Sequence, residues 1–128
     1  MTTLQIGKII KTLFLSNEQL KNYIGSEVYP LIADNSTTYP FIIYRRSAIE
    51  KSSTKDDADE SVNVEIYIVS DTYEKSISIA ELVRSTLEHR KGKFEDLYID
   101  DIIITDASES YEGDAFVQFL TITILTQK

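Results

Sequence analysis

The chain has 128 residues, 42% of them hydrophobic and 27% charged, which is ordinary for a folded globular protein and enough for one core. It has no cysteine, so disulfides and thiolate chemistry are excluded, and a reducing compartment is favoured. The net charge of −8 sits at one end: residues 94–128 hold eight acids (Glu95, Asp96, Asp100, Asp101, Asp106, Glu109, Glu112 and Asp114) and one base, Lys128. Such a surface repels phosphate backbones, and a solvated acidic face that aids solubility would account for it.

No basic N-terminal region precedes a long apolar run, and no stretch approaches the roughly 18 apolar residues of a membrane span. The expectation is a cytoplasmic origin, with no membrane partner.

At the N-terminus, Ile6, Ile9, Ile10, Leu13 and Phe14 recur at helical spacing and mark one buried face. Ser16 with Gln19 resembles a capping box that restarts a short helix over Asn17–Tyr23, and Gly25 suits its C-terminal cap. Tyr29-Pro30 stops the helical unit, because a residue before proline avoids helix. Leu31 to Thr38 is a connector, and Tyr39-Pro40 opens a strand over Phe41–Ile49. Residues 51–60 (KSSTKDDADE) lack a large apolar side chain and read as a flexible polar loop.

Val62, Val64, Ile66 and Ile68 alternate with Asn63, Glu65 and Tyr67, a strand with one apolar face. Asp71 followed by Glu74 marks a helix start, with Ile77, Ala80, Leu82, Val83 and Leu87 as its buried side. His89, Arg90 and Lys91 suit its negative end, and Gly92 its cap. Strands over Leu97–Thr105 and Ala115–Thr126 follow, joined by the polar turn DASESYEGD. The expected fold is a single α+β domain of order α-β-β-α-β-β: a four-stranded mixed sheet with its helices packed on one face. The second and third strands, joined through a helix, can run parallel with a right-handed crossover.

Residues for chemistry are sparse. The one histidine, His89, lies at a basic helix end, which leaves no base for a nucleophilic serine and too few ligands for zinc. The four glycines are isolated, so no phosphate-binding loop is present. Asp106 opens an oxygen-rich stretch, but Tyr111 stands where a calcium loop needs glycine. No catalysis, cofactor or metal is expected. Arg45 and Arg46 beside Tyr39 and Tyr44 suggest single-strand binding, yet a surface ion pair or subunit contact suits two arginines on opposite strand faces better.

Three stretches in order, GSEVYPLIADNSTTYPFIIYRRS, VNVEIYIVSDTYEKSISIAELVRSTLE and DIIITDASESYEGDAFVQFLTITI, resemble the tail completion proteins of long-tailed phages, also called tail terminators. Tyr67 departs from that pattern, which frequently has tryptophan there, and the 51–60 loop is idiosyncratic. The resemblance implies a structural virion protein at the tail-head junction, assembled in the host cytoplasm, with no enzymatic reaction. It implies a homo-oligomeric ring, commonly a hexamer, that caps the tail tube protein, ends its polymerisation and meets the head connector; a free protein that is monomeric, with the ring assembled only on the tail, is the open alternative. DNA then passes through the bore without sequence-specific binding. The candidate contacts to a neighbour, tube or connector are Arg45, Arg46, Lys51, Lys55, Asp56 and Asp57. Asp106, Glu109, Glu112 and Asp114 are the candidate acidic lining of the bore. The alternative is a small adaptor or regulatory binding domain unrelated to virions.

Overall fold

The computed structural model describes residues 1–51 and 59–127. Lys55, Asp56 and Asp57 lie outside the described residues. After a 3-10 turn at Thr3–Gln5 come α1 (Ile6–Ser16) and α2 (Glu18–Ile24), then β1 (Val28–Pro30), β2 (Phe41–Lys51) and β3 (Glu60–Ser70). Next are α3 (Tyr73–Leu87), β4 (Gly92–Phe94), β5 (Leu97–Glu112) and β6 (Ala115–Gln127). The strands form one six-stranded sheet in the order β1-β2-β3-β6-β5-β4.

The expected α+β class and the helices on one face agree with this architecture, but six strands replace four. The two additions, β1 and β4, have three residues each, too few to show a period of two in sequence. They exist because a neighbouring edge orders them: β1 pairs parallel with Ile42–Tyr44, and β4 pairs antiparallel with Leu97–Ile99. Tyr29-Pro30 is thus part of an edge strand, where proline's missing donor costs nothing on the outer side. β3 and β5 do run parallel, because each is antiparallel to β6, which lies between them.

The core collects the helix-side residues of the long strands, with the buried parity of β5 switching at the irregularity between Ile99 and Asp101. Val62, Val64, Ile66 and Ile68 of β3, Leu120, Ile122 and Ile124 of β6, and Leu97, Ile99 and Ile102 of β5 are buried together. Against them pack Ile6, Ile9, Ile10, Leu13 and Phe14 of α1, Leu20 and Ile24 of α2, and Ile79, Val83 and Leu87 of α3. Ile77, Ala80 and Leu82, expected in that face, are only partly buried, while Ser76 and Thr86 go inside with their hydroxyls bonded to Tyr73 O and Leu82 O. Gly7 permits a close approach of α1 to β2: a Cβ there would lie 2.6 Å from Cε2 of Tyr44.

Three helix boundaries differ by the choice of cap. Asn17, not Ser16, caps α2, its Oδ1 accepting from Leu20 N at 3.0 Å, while Ser16 ends α1 with its hydroxyl on Thr12 O. Thr72, not Asp71, caps α3 through Oγ1 and Lys75 N, and Asp71 instead holds the Lys75 ammonium. α3 closes at Glu88, followed by His89 at φ 62, and Gly92 belongs to β4.

The largest departure concerns the stretch DASESYEGD. Asp106–Glu112 continues β5 in register with β6, and only Gly113 and Asp114 turn the chain, at φ 56 and 68. Two successive positive φ values are what a tight two-residue hairpin requires. The segment has the polar composition of a loop because every residue from Thr105 to Asp114 is exposed: this arm of β5 is the solvated outer strand of the hairpin, while Ala115, Val117, Gln118 and Leu120 of its inner strand are buried.

Candidate assembly surface

The sheet face opposite the helices has no covering layer among the described residues. Its register is set by the pairs Phe41↔Val69, Ile43↔Tyr67 and Arg45↔Glu65 between β2 and β3, continued by Val69↔Val117, Tyr67↔Phe119 and Glu65↔Thr121 on β6. One half is apolar: Tyr67 and Phe119 stack at 4.7 Å with their planes 8° apart, and Phe41 stacks on Tyr39 at 5.8 Å. Offset stacks of this kind add roughly 0.5–1.5 kcal/mol beyond the area they cover. Phe41, Ile43, Tyr67, Val69 and Phe119 nevertheless remain partly exposed. The other half is polar, with Asn63 Oδ1 accepting from the Thr123 hydroxyl at 2.8 Å.

Where the halves meet, the Glu65 carboxylate accepts from Arg45 Nη1 at 2.6 Å and from the Tyr67 hydroxyl at 3.2 Å. Burial raises the Tyr67 phenol above its usual range, and the adjacent Glu65 carboxylate pushes it the same way. Arg46 points to the other face, and its Nη1 donates to Leu4 O at 2.6 Å. The two arginines therefore take opposite faces, as alternation requires. Lys51 ends β2 opposite Glu60.

The four candidate bore acids do not share one face. Glu109 lies on the α3 side, where it accepts from the Tyr73 hydroxyl at 3.0 Å and from Gln118 Nε2 at 3.2 Å. The hydrogen bond to Glu109 raises the Tyr73 pKa. Asp106 and Glu112 pair with Thr121 and Ala115, which puts them on the open face, and Asp114 occupies the turn. His89 Nδ1 sits 3.2 Å from Asp101 Oδ1, an exposed contact at the far end of β5. Among the described residues no group of three or more His, Asp or Glu side chains could hold a metal, and no helix is long and apolar enough to cross a membrane.

Sequence reading missed the open face as a surface. Its signal was present in the odd-numbered residues of β3: Tyr67 and Val69 interrupt an otherwise polar series, and only pairing with Phe119 and Val117 turns them into a patch.

The profile of the family described as tail completion protein gp17 matches residues 9–127, nearly the whole chain. The chain belongs to this family. Tail completion proteins are structural components of the phage tail, not enzymes, so this chain has a structural role in the virion tail. That membership removes the adaptor reading. A chain in the solved virion of a native gene transfer agent particle has the same fold, with a TM-score of 0.82 at 12% identity over 93% of this chain and 92% of that one. A second solved chain matches with a TM-score of 0.66 at 8% identity, over 100% of this chain and 97% of that one. No curated protein matches the chain.

Proposed function

We propose that this tail completion protein forms a ring on the finished tail tube, ends tube growth and offers a second surface to the head connector. The observation that carries this reading is the uncovered sheet face. Partly exposed Phe41, Ile43, Tyr67, Val69 and Phe119 form a contiguous apolar patch, of the kind that marks a protein-protein contact. The likeness to a chain in a gene transfer agent virion supports the same setting. A ring needs two different surfaces on each subunit, related by a rotation that closes; a hexamer is the expected size, with subunits that remain monomeric until they meet the tail.

In this reading the acidic arm faces the DNA path. Glu112 and Asp114 lie at its tip, with Asp106 and Glu109 further down, and their charge keeps the passing phosphate backbone from adhering. Replacing these acids with lysine is expected to slow DNA ejection, and unchanged kinetics would count against the bore assignment. Lys55, Asp56 and Asp57 remain candidate contacts to tube or connector, beside Arg45, Arg46 and Lys51. The ring reading is tested by electron microscopy of particles made without the chain. Overlong tubes or unjoined heads are expected, and virions of normal length with heads attached would overturn it.

A further inference from the structure

We propose that the arm of β5, Asp106–Glu112, adds as an antiparallel strand to the free edge of β2, Arg45–Lys51, in a second copy of the chain. This rests in part on the ring reading, since it names the two surfaces by which the subunits join.

Both edges are open for matching lengths. β1 covers β2 only through Tyr44, where Leu31 N bonds Tyr44 O at 2.9 Å, and no described strand lies outside the seven residues from Arg45 to Lys51. β4 covers β5 only through Ile99, and His89 N bonds Ile102 O at 2.8 Å, so the seven arm residues are likewise bare on their outer side. Such rows of unpaired donors and acceptors are templates for another strand. Antiparallel pairing through β3 and β6 makes β2 and β5 run in opposite directions within one sheet. Arg45 stands level with Asp106 through Glu65 and Thr121, so a neighbour related by rotation about an axis inclined to the strands presents its arm antiparallel to β2, with no reversal and offset by six residues along the strand. The joint is heterologous, one edge of each kind per copy, which is what a closed ring requires.

The side chains fit this direction. With the arm's tip at the β1 end, Glu112 falls opposite Arg45, both on the open face, and Tyr111 opposite Arg46, both on the helix face. Ser47 is the extra residue of the bulge in β2, so Ser110 then meets Ala48, Glu109 meets Ile49, Ser108 meets Glu50 and Ala107 meets Lys51. An acid thus meets a base at the tip end of the joint, on the open face. Glu112 would join Glu65 at a guanidinium with donors to spare, so no like-charge contact is left unbalanced. Tyr111 is 60% exposed, and beside Arg46 lies a groove of about 360 Å³ lined by Leu4, Ile6, Pro30, Leu31 and Tyr44. Leu4 and Leu31 are 64% and 65% exposed, which gives the tyrosine ring an apolar seat. β1 lies below the arm's tip and β4 above the end of β2, so neither short strand obstructs the joint.

The absence of cysteine makes the test clean. A chain carrying Ala48→Cys and Ser110→Cys, oxidised in assembled tails, should give a ladder of disulfide-linked multimers, and the purified free protein should give little or none. Opposed strand residues lie within disulfide reach. Either single variant should remain unlinked. Adding Glu112→Lys should lower the ladder about tenfold or more, because like charges then face each other across the joint, while melting temperature stays unchanged. Strong dimers from Ser110→Cys alone would show arm-to-arm pairing and overturn the proposal. So would the lack of a ladder in assembled tails. Rings seen on tails without a ladder would sink the edge joint and spare the ring; a ladder with tails that end normally without the chain would do the reverse.

Discussion

The two faces of the sheet use the same strands for different ends. On the covered face β3 presents Val62, Val64, Ile66 and Ile68, each at most 1% exposed beneath three helices. On the open face the same strand presents Asn63, Glu65, Tyr67 and Val69, all partly exposed. Strand alternation makes the division, and the helices settle which side becomes the core. The lesson is that a half-exposed aromatic stack such as Tyr67–Phe119 adds little to the fold relative to the aliphatic layer behind it, and is available for a partner.

That contrast can be broken most sharply from behind. Ile66→Ala removes a fully buried side chain from the centre of the covered face and should cost about 2–5 kcal/mol, read by denaturant unfolding. Gly7→Ala should cost about 1–2 kcal/mol, since the new methyl forces the Tyr44 ring aside and the gain in helix propensity offsets only part of that strain. On the open face Phe119→Ala should cost less than Ile66→Ala, about 1–2 kcal/mol in the free chain, through the lost stack and the area it covers, but should strongly reduce incorporation into tails, measured on purified particles. Equal effects of Ile66→Ala and Phe119→Ala on folding would erase the distinction between the faces.

The smallest effect concerns pH. The Tyr67 phenol is raised by burial and by Glu65, so the folded state favours its neutral form. Its contribution is complete below the ordinary phenol value of about 10 and is lost as pH rises through the raised one. Tyr67→Phe should therefore lessen the fall in melting temperature above about pH 10 relative to the parent chain.

The covered face was legible in sequence because its periods are long: five apolar positions in α1 and four in β3 repeat without interruption. Short-range competition was not legible. Asn17 and Thr72 each stand next to another residue able to cap, and only geometry selects between them. The arm was obscured by its exposure on both faces, since a strand solvated on both sides loses the alternation that identifies strands. The arginines were placed on opposite faces by alternation alone, but that Arg45 meets Glu65 and Arg46 meets Leu4 O depends on cross-strand register and on where the N-terminal turn lies.

The most direct test of the account is to locate the chain in the particle. Cryo-electron microscopy of virions carrying a tagged copy should show it as a ring at the head-proximal end of the tail tube, in contact with the connector. Density at the distal tip, or at repeated positions along the tube, would contradict it.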